Sequence, residues 1–174
     1  ALRRLLRLPT GPVVGMASTF QPSRGHAVAL AAFGEVRRRV PDATLVLLGD
    51  GVLEPALRRA IHDRGLADAV RLPGYQRGLE FIRWLQAMDE VWVLGLGNDW
   101  AGRPALQARA CGARVVAAAL GALPTWADAV LAEVTPAALA AVALQPGRRD
   151  VPLPDVDAVA RDVLALYSRA GETR

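Results

Sequence analysis

The chain contains no lysine; every one of its 21 Lys-plus-Arg residues is arginine. An Arg- and Ala-rich, lysine-free composition reads as a bias of the source, so the formal charge of +4 says little about an anionic partner. Aromatic residues are only 5% of the 174, and most fall within apolar runs. A nucleic-acid surface needs a basic stripe interleaved with stacking rings. The arginine clusters at 3–4, 37–39, 58–59 and 148–149 lack that interleaving and read as solvated helix faces. No nucleic-acid partner is expected.

Other absences narrow the class further. A single cysteine, Cys111, cannot form an internal disulfide; it fits a reducing compartment and is expected to pack in the core. No apolar run approaches the ~20 residues that a membrane-spanning helix needs. There is no secretory leader pattern, and the first residue is not Met, so the sequence is read as a piece of a longer protein. Metal-ligand spacing, a G-x-S-x-G elbow and a Cys/His pair are all missing, so no metal is expected. His62 falls on a charged helix face, far in sequence from His26, and neither reads as a base or ligand. Residues 1–8, A-L-R-R-L-L-R-L, are basic and amphipathic. Such a segment can touch an anionic membrane, but its shortness favours a linker or the tail of a preceding helix.

What is present is a rhythm. Apolar runs at 13–16, 44–48, 70–72, 91–94, 114–118 and 130–134 read as strands. Between them lie helical patterns at 26–40, 53–64, 79–88 and 104–111. Leu30, Phe33, Val36 and Val40 share one helix face, and Leu53, Leu57 and Ile61 another, closed by Gly65. Trp84 and Trp92 read as core. Thr135-Pro136 opens a further helix, with Thr as the cap and Pro at the first helical position. A Pro-rich connection at 145–154 leads to a last helix over 155–174. Alternation of this kind implies βαβ units, a Rossmann-like parallel sheet and helices on both faces. Nothing suggests a second domain or a repeat; residues 1–174 read as one domain behind a linker at 1–10.

In such sheets ligands sit beyond the carboxyl ends of the strands. The loops there are 19–25, 49–53, 74–78, 95–102 and 119–126. The first ends in Gln21-Pro22-Ser23-Arg24-Gly25-His26 at a helix start. A cation, free backbone N–H groups and the positive helix end together suit a diphosphate. The second holds Gly49-Asp50-Gly51, where glycine admits close backbone approach and Asp50 can accept from hydroxyls. The third is Pro73-Gly74-Tyr75, a glycine beside an aromatic ring that could line a base pocket. An ordinary turn explains each of these three equally well. A dinucleotide fingerprint G-x-G-x-x-G fails at both G-x-G strings, because Glu54 and Trp100 occupy the third glycine position. That disfavours a nicotinamide-dependent oxidoreductase.

The most informative stretch is 98–111, N-D-W-A-G-R-P-A-L-Q-A-R-A-C. Asp99 and Gln107 can hydrogen-bond sugar hydroxyls, Arg103 between them is a rigid fork of donors, and Gly102 leaves space for a ligand.

Taken in order, these loops resemble the C-terminal, donor-binding half of GT-B glycosyltransferases of the family 4, or group 1, type. The match runs from Val14-Gly15-Met16 through Arg24-Gly25-His26, 45–51, 70–75 and 99–117 to Tyr167. The resemblance implies a nucleotide diphospho-sugar donor, as substrate rather than cofactor, and a retaining, metal-independent transfer to a glycan, lipid or polysaccharide acceptor. It implies that Arg24 contacts the diphosphate, that Gly49, Asp50 and Gly51 lie near the donor, and that Gly74 and Tyr75 lie near the base. The family's paired glutamates fall on Asp99, for the donor sugar, and Gln107, for the ribose. Arg103 matches a sub-branch of the motif. Thr19 stands where the family usually has arginine. Arg24, Arg103 and Asp99 are the expected catalytic residues; Thr19, Gly25, Gly49, Asp50, Gly51, Gly74, Tyr75, Gly102 and Gln107 are the expected donor-binding residues.

Two charged contacts are thereby replaced by neutral ones. A hydrogen bond to a charged group is worth about 1.5–3 kcal/mol against about 1 for a neutral pair. The two replacements together weaken donor binding on the order of a hundredfold. An alternative reading follows, a glycosyltransferase-like domain that binds without turnover. The resemblance also implies an N-terminal acceptor domain outside this chain, without which there is no activity. It further implies a role in cell-envelope or polysaccharide synthesis, and a cytoplasmic location with room for peripheral contact at the inner face of a membrane.

Overall fold

The computed structural model describes residues 1–95, 102–147, 149–150, 152–153, 155, 157 and 161. Asp99, Tyr167 and most of the expected helix over 155–174 lie outside these residues.

Six strands form one parallel sheet in the order β3-β2-β1-β4-β5-β6. They are β1 (Val13–Ala17), β2 (Thr44–Leu48), β3 (Val70–Gly74), β4 (Glu90–Val93), β5 (Arg114–Ala118) and β6 (Ala129–Leu131). The helices are α1 (Leu2–Leu5), α2 (His26–Arg39), α3 (Glu54–Asp63), α4 (Gly78–Ala87), α5 (Arg103–Ala110), α6 (Leu123–Trp126) and α7 (Pro136–Val142). The expected α/β class, with helices on both faces of a Rossmann-like sheet, is what the chain adopts.

Strand periodicity divides the core in two. Val14, Met16, Leu45, Leu47, Trp92 and Val116 point to one side, where Leu30 and Phe33 of α2, Leu57 of α3 and Leu139 of α7 meet them. Val13, Val46, Val91, Val93, Val115 and Ala117 point to the other, against Leu85 of α4, Ala105 and Ala108 of α5 and Leu123 of α6. Successive side chains alternate across a strand, so a continuous apolar run such as Thr44–Leu48 is what a doubly covered strand requires. The chain winds outward from β1 to β3 and then returns to place β4 on β1's other side. The β1–β4 junction is therefore the switch point of the sheet.

Several local signals act as expected. Thr135 Oγ1 accepts the Ala138 N–H at 3.2 Å and caps α7. Gly65 ends α3 with φ 65°, and the Leu66 N–H reaches back to the Ile61 carbonyl at 2.9 Å. Residues 1–8 are docked on the domain. Arg3 Nε donates to the Ala87 carbonyl at 2.9 Å, Arg3 pairs with Asp89 at 2.5 Å, and Leu8 is buried.

Other expectations are corrected. The loop at 119–126 contains the short helix α6, because Leu123 is drawn into the core and pulls a turn around it. The last strand stops at Leu131; it is the sheet edge, where Val130 is exposed. Cys111 is half-buried at the end of α5 instead of a core residue. Trp92 is fully buried, but Trp84 is only half-buried and Ile82 is exposed, since α4 covers the sheet with one narrow stripe. Among the described residues, no helix is long and apolar enough to cross a membrane.

Polar groups lock the end of the sheet away from the candidate site. Glu90 is 1% exposed and faces Arg114 in register across β4 and β5. It accepts from Trp92 Nε1 at 2.6 Å, from the Leu144 N–H at 3.0 Å and from the Arg114 guanidinium. Burial pushes its carboxyl up, against the pull of those three donors. Asp128, between α6 and β6, accepts from the Val115 N–H at 2.8 Å, from Arg109 at 3.0 Å and from the Arg149 N–H at 2.6 Å. Burial pushes its carboxyl up too, but these donors outweigh it and hold the group below its ordinary value.

Candidate functional site

A cavity of about 310 Å³ opens at the carboxyl edge of the sheet. Its floor is the end of β1 with Ser18 and Thr19, and the end of β2 with Leu48 and Gly49. One wall is the β3–α4 turn, Tyr75, Gln76 and Arg77, backed by Phe81 of α4. The other is the first turn of α5, with Arg103, Pro104 and Gln107. The size lies at the lower end of the range for small-molecule sites, about 300–1,000 Å³. Among the described lining residues the charged side chains are Arg77 and Arg103, and no carboxylate joins them. The described wall is cationic and suits an anion.

The first turn of α5 is built to present its side chains. Gly102 takes φ 64° as the N-cap, Pro104 fixes the first turn, and the Gly102 carbonyl accepts the Leu106 N–H at 3.0 Å. Arg103 and Gln107, four residues apart, then lie on one face. A Cβ at position 102 would stand 2.9 Å from Trp126 Cδ1. The space at Gly102 is thus taken by Trp126, and the expectation that it clears room for a ligand is corrected.

The glycines after β2 have a similar explanation. Gly49 has φ 143°, and a Cβ there would lie 2.0 Å from the Ser18 carbonyl oxygen. At Gly51 it would meet the Phe20 carbonyl oxygen at 2.7 Å. The close approach is between two loops of the chain itself. Ser18 N–H donates to the Leu48 carbonyl at 3.0 Å, Phe20 N–H to the Asp50 carbonyl at 2.6 Å, and Leu53 N–H to the Phe20 carbonyl at 3.0 Å. Gly49 lines the cavity; Asp50 and Gly51 are exposed beside it and do not. Gly74 ends β3 with φ 81°, accepts the Gly49 N–H at 3.1 Å and lies behind the lining. Tyr75 is 62% exposed on the rim, with the Arg77 guanidinium 5.9 Å from its ring centroid.

Arg24 occupies a neighbouring small cleft at the switch point, together with Ser18, Leu94 and Gly95. It ends a 3₁₀ turn, Pro22–Arg24, and Gly25 follows with φ 78° as the N-cap of α2. A Cβ at Gly25 would lie 2.8 Å from Leu94 Cβ, so glycine lets α2 start directly against the end of β4. His26, the first residue of α2, is 2% exposed, with Nε2 3.2 Å from Ser18 Oγ and its ring edge-on to Phe20 at 5.0 Å. Burial lowers its pKa to about 4; the Arg24 charge adds to this and the Gln21 backbone opposes it. The imidazole is neutral at neutral pH.

The structure therefore brings together Thr19, Gly49, Tyr75, Arg103 and Gln107, and sets Arg24 in the adjoining cleft. Asp99 lies outside the described residues. Sequence reasoning missed Ser18, Gln76, Arg77 and Phe81. Ser18 and Gln76 had a weak signal, each sitting beside a named residue at the end of a strand.

A doubly wound parallel sheet with a cationic crevice at its carboxyl edge defines a Rossmann-like α/β domain with a site suited to an anionic ligand. Residues 11–168 match the family described as glycosyl transferases group 1, and the chain belongs to that family. It is 33% identical over 132 residues to the GDP-mannose-dependent alpha-(1-6)-phosphatidylinositol monomannoside mannosyltransferase of Mycolicibacterium smegmatis, covering 71% of this chain and 34% of that protein. It is 33% identical over 124 residues to the D-inositol 3-phosphate glycosyltransferase of Jonesia denitrificans, covering 67% of this chain and 29% of that one. The chain thus spans about a third of the length of these curated relatives. Among solved structures, Anabaena Alr3699/HepE in complex with UDP and glucose aligns with a TM-score of 0.71 at 25% identity, over 81% of this chain and 40% of that one. The C-terminal domain of the group 1 glycosyl transferase LpcC from Francisella tularensis shares the fold with a TM-score of 0.73 at 20% identity, over 80% of this chain and 77% of that one.

Proposed function

We propose that this chain is the C-terminal, donor-binding half of a retaining, metal-independent GT-B glycosyltransferase, and that its cavity takes a nucleotide diphospho-sugar. The observation that carries the reading is the meeting of Thr19, Gly49, Tyr75, Arg103 and Gln107 at one cavity, in a chain of this family. That HepE was solved with UDP-glucose supports a nucleotide-sugar ligand. Arg24 and Arg103 stabilise the charge that develops on the departing diphosphate, which is electrostatic catalysis by fixed cations. Asp99 orients the donor sugar, Gln107 holds the ribose, and Tyr75, set by the turn at Gly74, borders the base. The acceptor is held by an N-terminal domain outside this chain, and transfer requires both halves. On this reading the parent protein works in the cytoplasm, with room for peripheral contact at the inner face of a membrane.

Thr19 and Gln107 favour a second reading. Both line the cavity and neither carries a charge, so a domain that binds the nucleotide without turnover is the alternative. Calorimetric titration of the chain with UDP-, GDP- and CMP-sugars tests the donor reading. Binding of a diphosphate sugar, lost in Arg24→Ala, is the expected result. No binding of any diphosphate nucleotide at millimolar concentration would overturn it. Binding without transfer by the parent protein would select the alternative.

A further inference from the structure

We propose that Trp126 is a positioning residue of the candidate site: its indole, packed against Gly102, sets the first turn of α5 and so the place from which Arg103 reaches the cavity. The inference rests on the reading of the cavity as a nucleotide-diphosphate site and goes beyond it, because Trp126 is not among the residues that line the cavity.

Helix α5 needs a brace from outside itself. Its buried residues are Ala105, Ala108 and Arg109, so it meets the sheet mainly through single methyl groups. Ridges made of alanine are shallow, and a helix that packs through them interlocks weakly with the surface below. Its place is then set by contacts at its two ends, and Trp126 stands at both. At the head, the Cδ1–Nε1 edge of the indole fills the space beside Gly102: an added Cβ there would lie 2.9 Å from Cδ1 and 3.2 Å from Nε1. At the tail, Arg109 Nη1 lies 3.4 Å from the Trp126 carbonyl oxygen and 3.0 Å from the Asp128 carboxylate. The two ends are about 10 Å apart along the helix axis.

The brace is itself fixed. Leu123 seats α6 in the core, and Trp126 packs half-buried on the same apolar cluster. Asp128, two residues on, is held by the Val115 N–H of β5 and by the Arg149 N–H. A rigid indole on a seated turn stops the head of α5 from settling toward α6. Gly102 is the N-cap of α5, in the left-handed region at φ 64°, and Arg103 is the next residue. A shift of the cap carries the Arg103 Cα with it. Misplacement by about 1 Å is enough to cost a charge-stabilising contact most of its worth. Gln107 lies a full turn further from the cap and is moved less.

The test pairs amide hydrogen exchange with calorimetry on the 174-residue chain. Trp126→Ala removes the indole and keeps the carbonyl, so it releases the head of α5 and leaves the tail. The Leu106 N–H, bonded to the Gly102 carbonyl, is expected to lose protection by about tenfold or more, while the Cys111 N–H, bonded to the Gln107 carbonyl, keeps its own. Binding of UDP or GDP is expected to weaken about tenfold, the worth of one charged contact, while uridine and guanosine bind both proteins alike. Arg103→Ala added to Trp126→Ala is expected to cost little more than Arg103→Ala alone, because Trp126 acts through Arg103. Gly102→Ala presses on the same contact from the other side and is expected to repeat the loss, so the test does not depend on Trp126→Ala folding. Unchanged Leu106 protection would overturn the proposal, as would losses that multiply to about a hundredfold in the double variant. If wild type binds neither UDP nor GDP, the donor-site reading fails and the role in binding fails with it; the Leu106 exchange then judges the brace by itself.

Discussion

Acidification tests the burial of His26 without any ligand. In the unfolded chain a histidine titrates near pH 6.5, and in the folded chain this one titrates near pH 4. The folded value is the lower of the two, so as pH falls the unfolded chain takes up the proton first. The contribution of His26 to stability is full above about pH 6.5 and is lost as pH drops towards 4. Linkage with these two values gives a loss of about 2 kcal/mol at pH 5 and about 3 kcal/mol at pH 4. Two other groups act in different senses or windows. Glu90, with its carboxyl pushed up, works in the opposite direction, losing stability as pH rises through its folded value. Asp128, held low, loses stability only below its ordinary value of 3.8. Urea unfolding of wild type and of His26→Gln between pH 7 and 5 separates the histidine from both, because the variant keeps Glu90 and Asp128. Wild type is expected to fall by about 2 kcal/mol more than the variant over that interval. Parallel curves would refute the reasoning, because they would mean that His26 is not buried as a neutral base.

Three further outcomes follow from the geometry. Glu90→Ala leaves the buried Trp92 and Leu144 N–H groups without their acceptor and removes the counter-charge of Arg114, whose guanidinium keeps only the Gly147 and Val142 carbonyls. It is expected to cost about 3–5 kcal/mol, seen as a clear drop in Tm by calorimetry. Glu90→Gln should be nearly as harmful, because its amide NH2 must face one of three donors. Gly49→Ala places a Cβ on the Ser18 carbonyl at a φ that disfavours side chains, and is expected to cost about 3 kcal/mol or more in urea unfolding. Gly74→Ala, with open space around the added Cβ, should cost only about 1 kcal/mol of backbone strain. Arg103→Ala and Arg77→Ala are each expected to weaken UDP or GDP binding roughly tenfold by calorimetry while leaving Tm unchanged, because both side chains are exposed.

Much of the sheet was legible because its strands are short, apolar on both faces and separated by helices with marked ends. Thr44–Leu48 and Arg114–Ala118 match the read boundaries residue for residue. Elements held mainly by tertiary contacts were harder. Helix α6 is four residues long, too short for a periodic signal, and exists because Leu123 fills a gap under β5. The site was legible as a set of loops and less so as a set of side chains. Glycine marks close backbone approach but not what approaches; at positions 49, 51 and 102 it is the chain's own Ser18, Phe20 and Trp126. Arg77 went unnoticed because nothing in a run such as Tyr75-Gln76-Arg77 states which way a turn will face.

The hydrogen bonds that join the loops after β1 and β2 make the two sides of the cavity unequal. On one side, three backbone bonds, from the Ser18 N–H to Leu48, the Phe20 N–H to Asp50 and the Leu53 N–H to Phe20, tie the loops after β1 and β2 together, so this surface is set before any ligand arrives. On the other side, the β3–α4 turn is tied back to those loops by the Gly49 N–H bond to the Gly74 carbonyl, while Tyr75, Arg77, Arg103 and Gln107 present exposed side chains. Adjustment to differences between ligands therefore falls on the wall that carries Tyr75, Arg77 and Arg103. On the proposed donor-site reading, the braced side is a template of fixed shape, and differences among donors fall to the exposed side chains across from it.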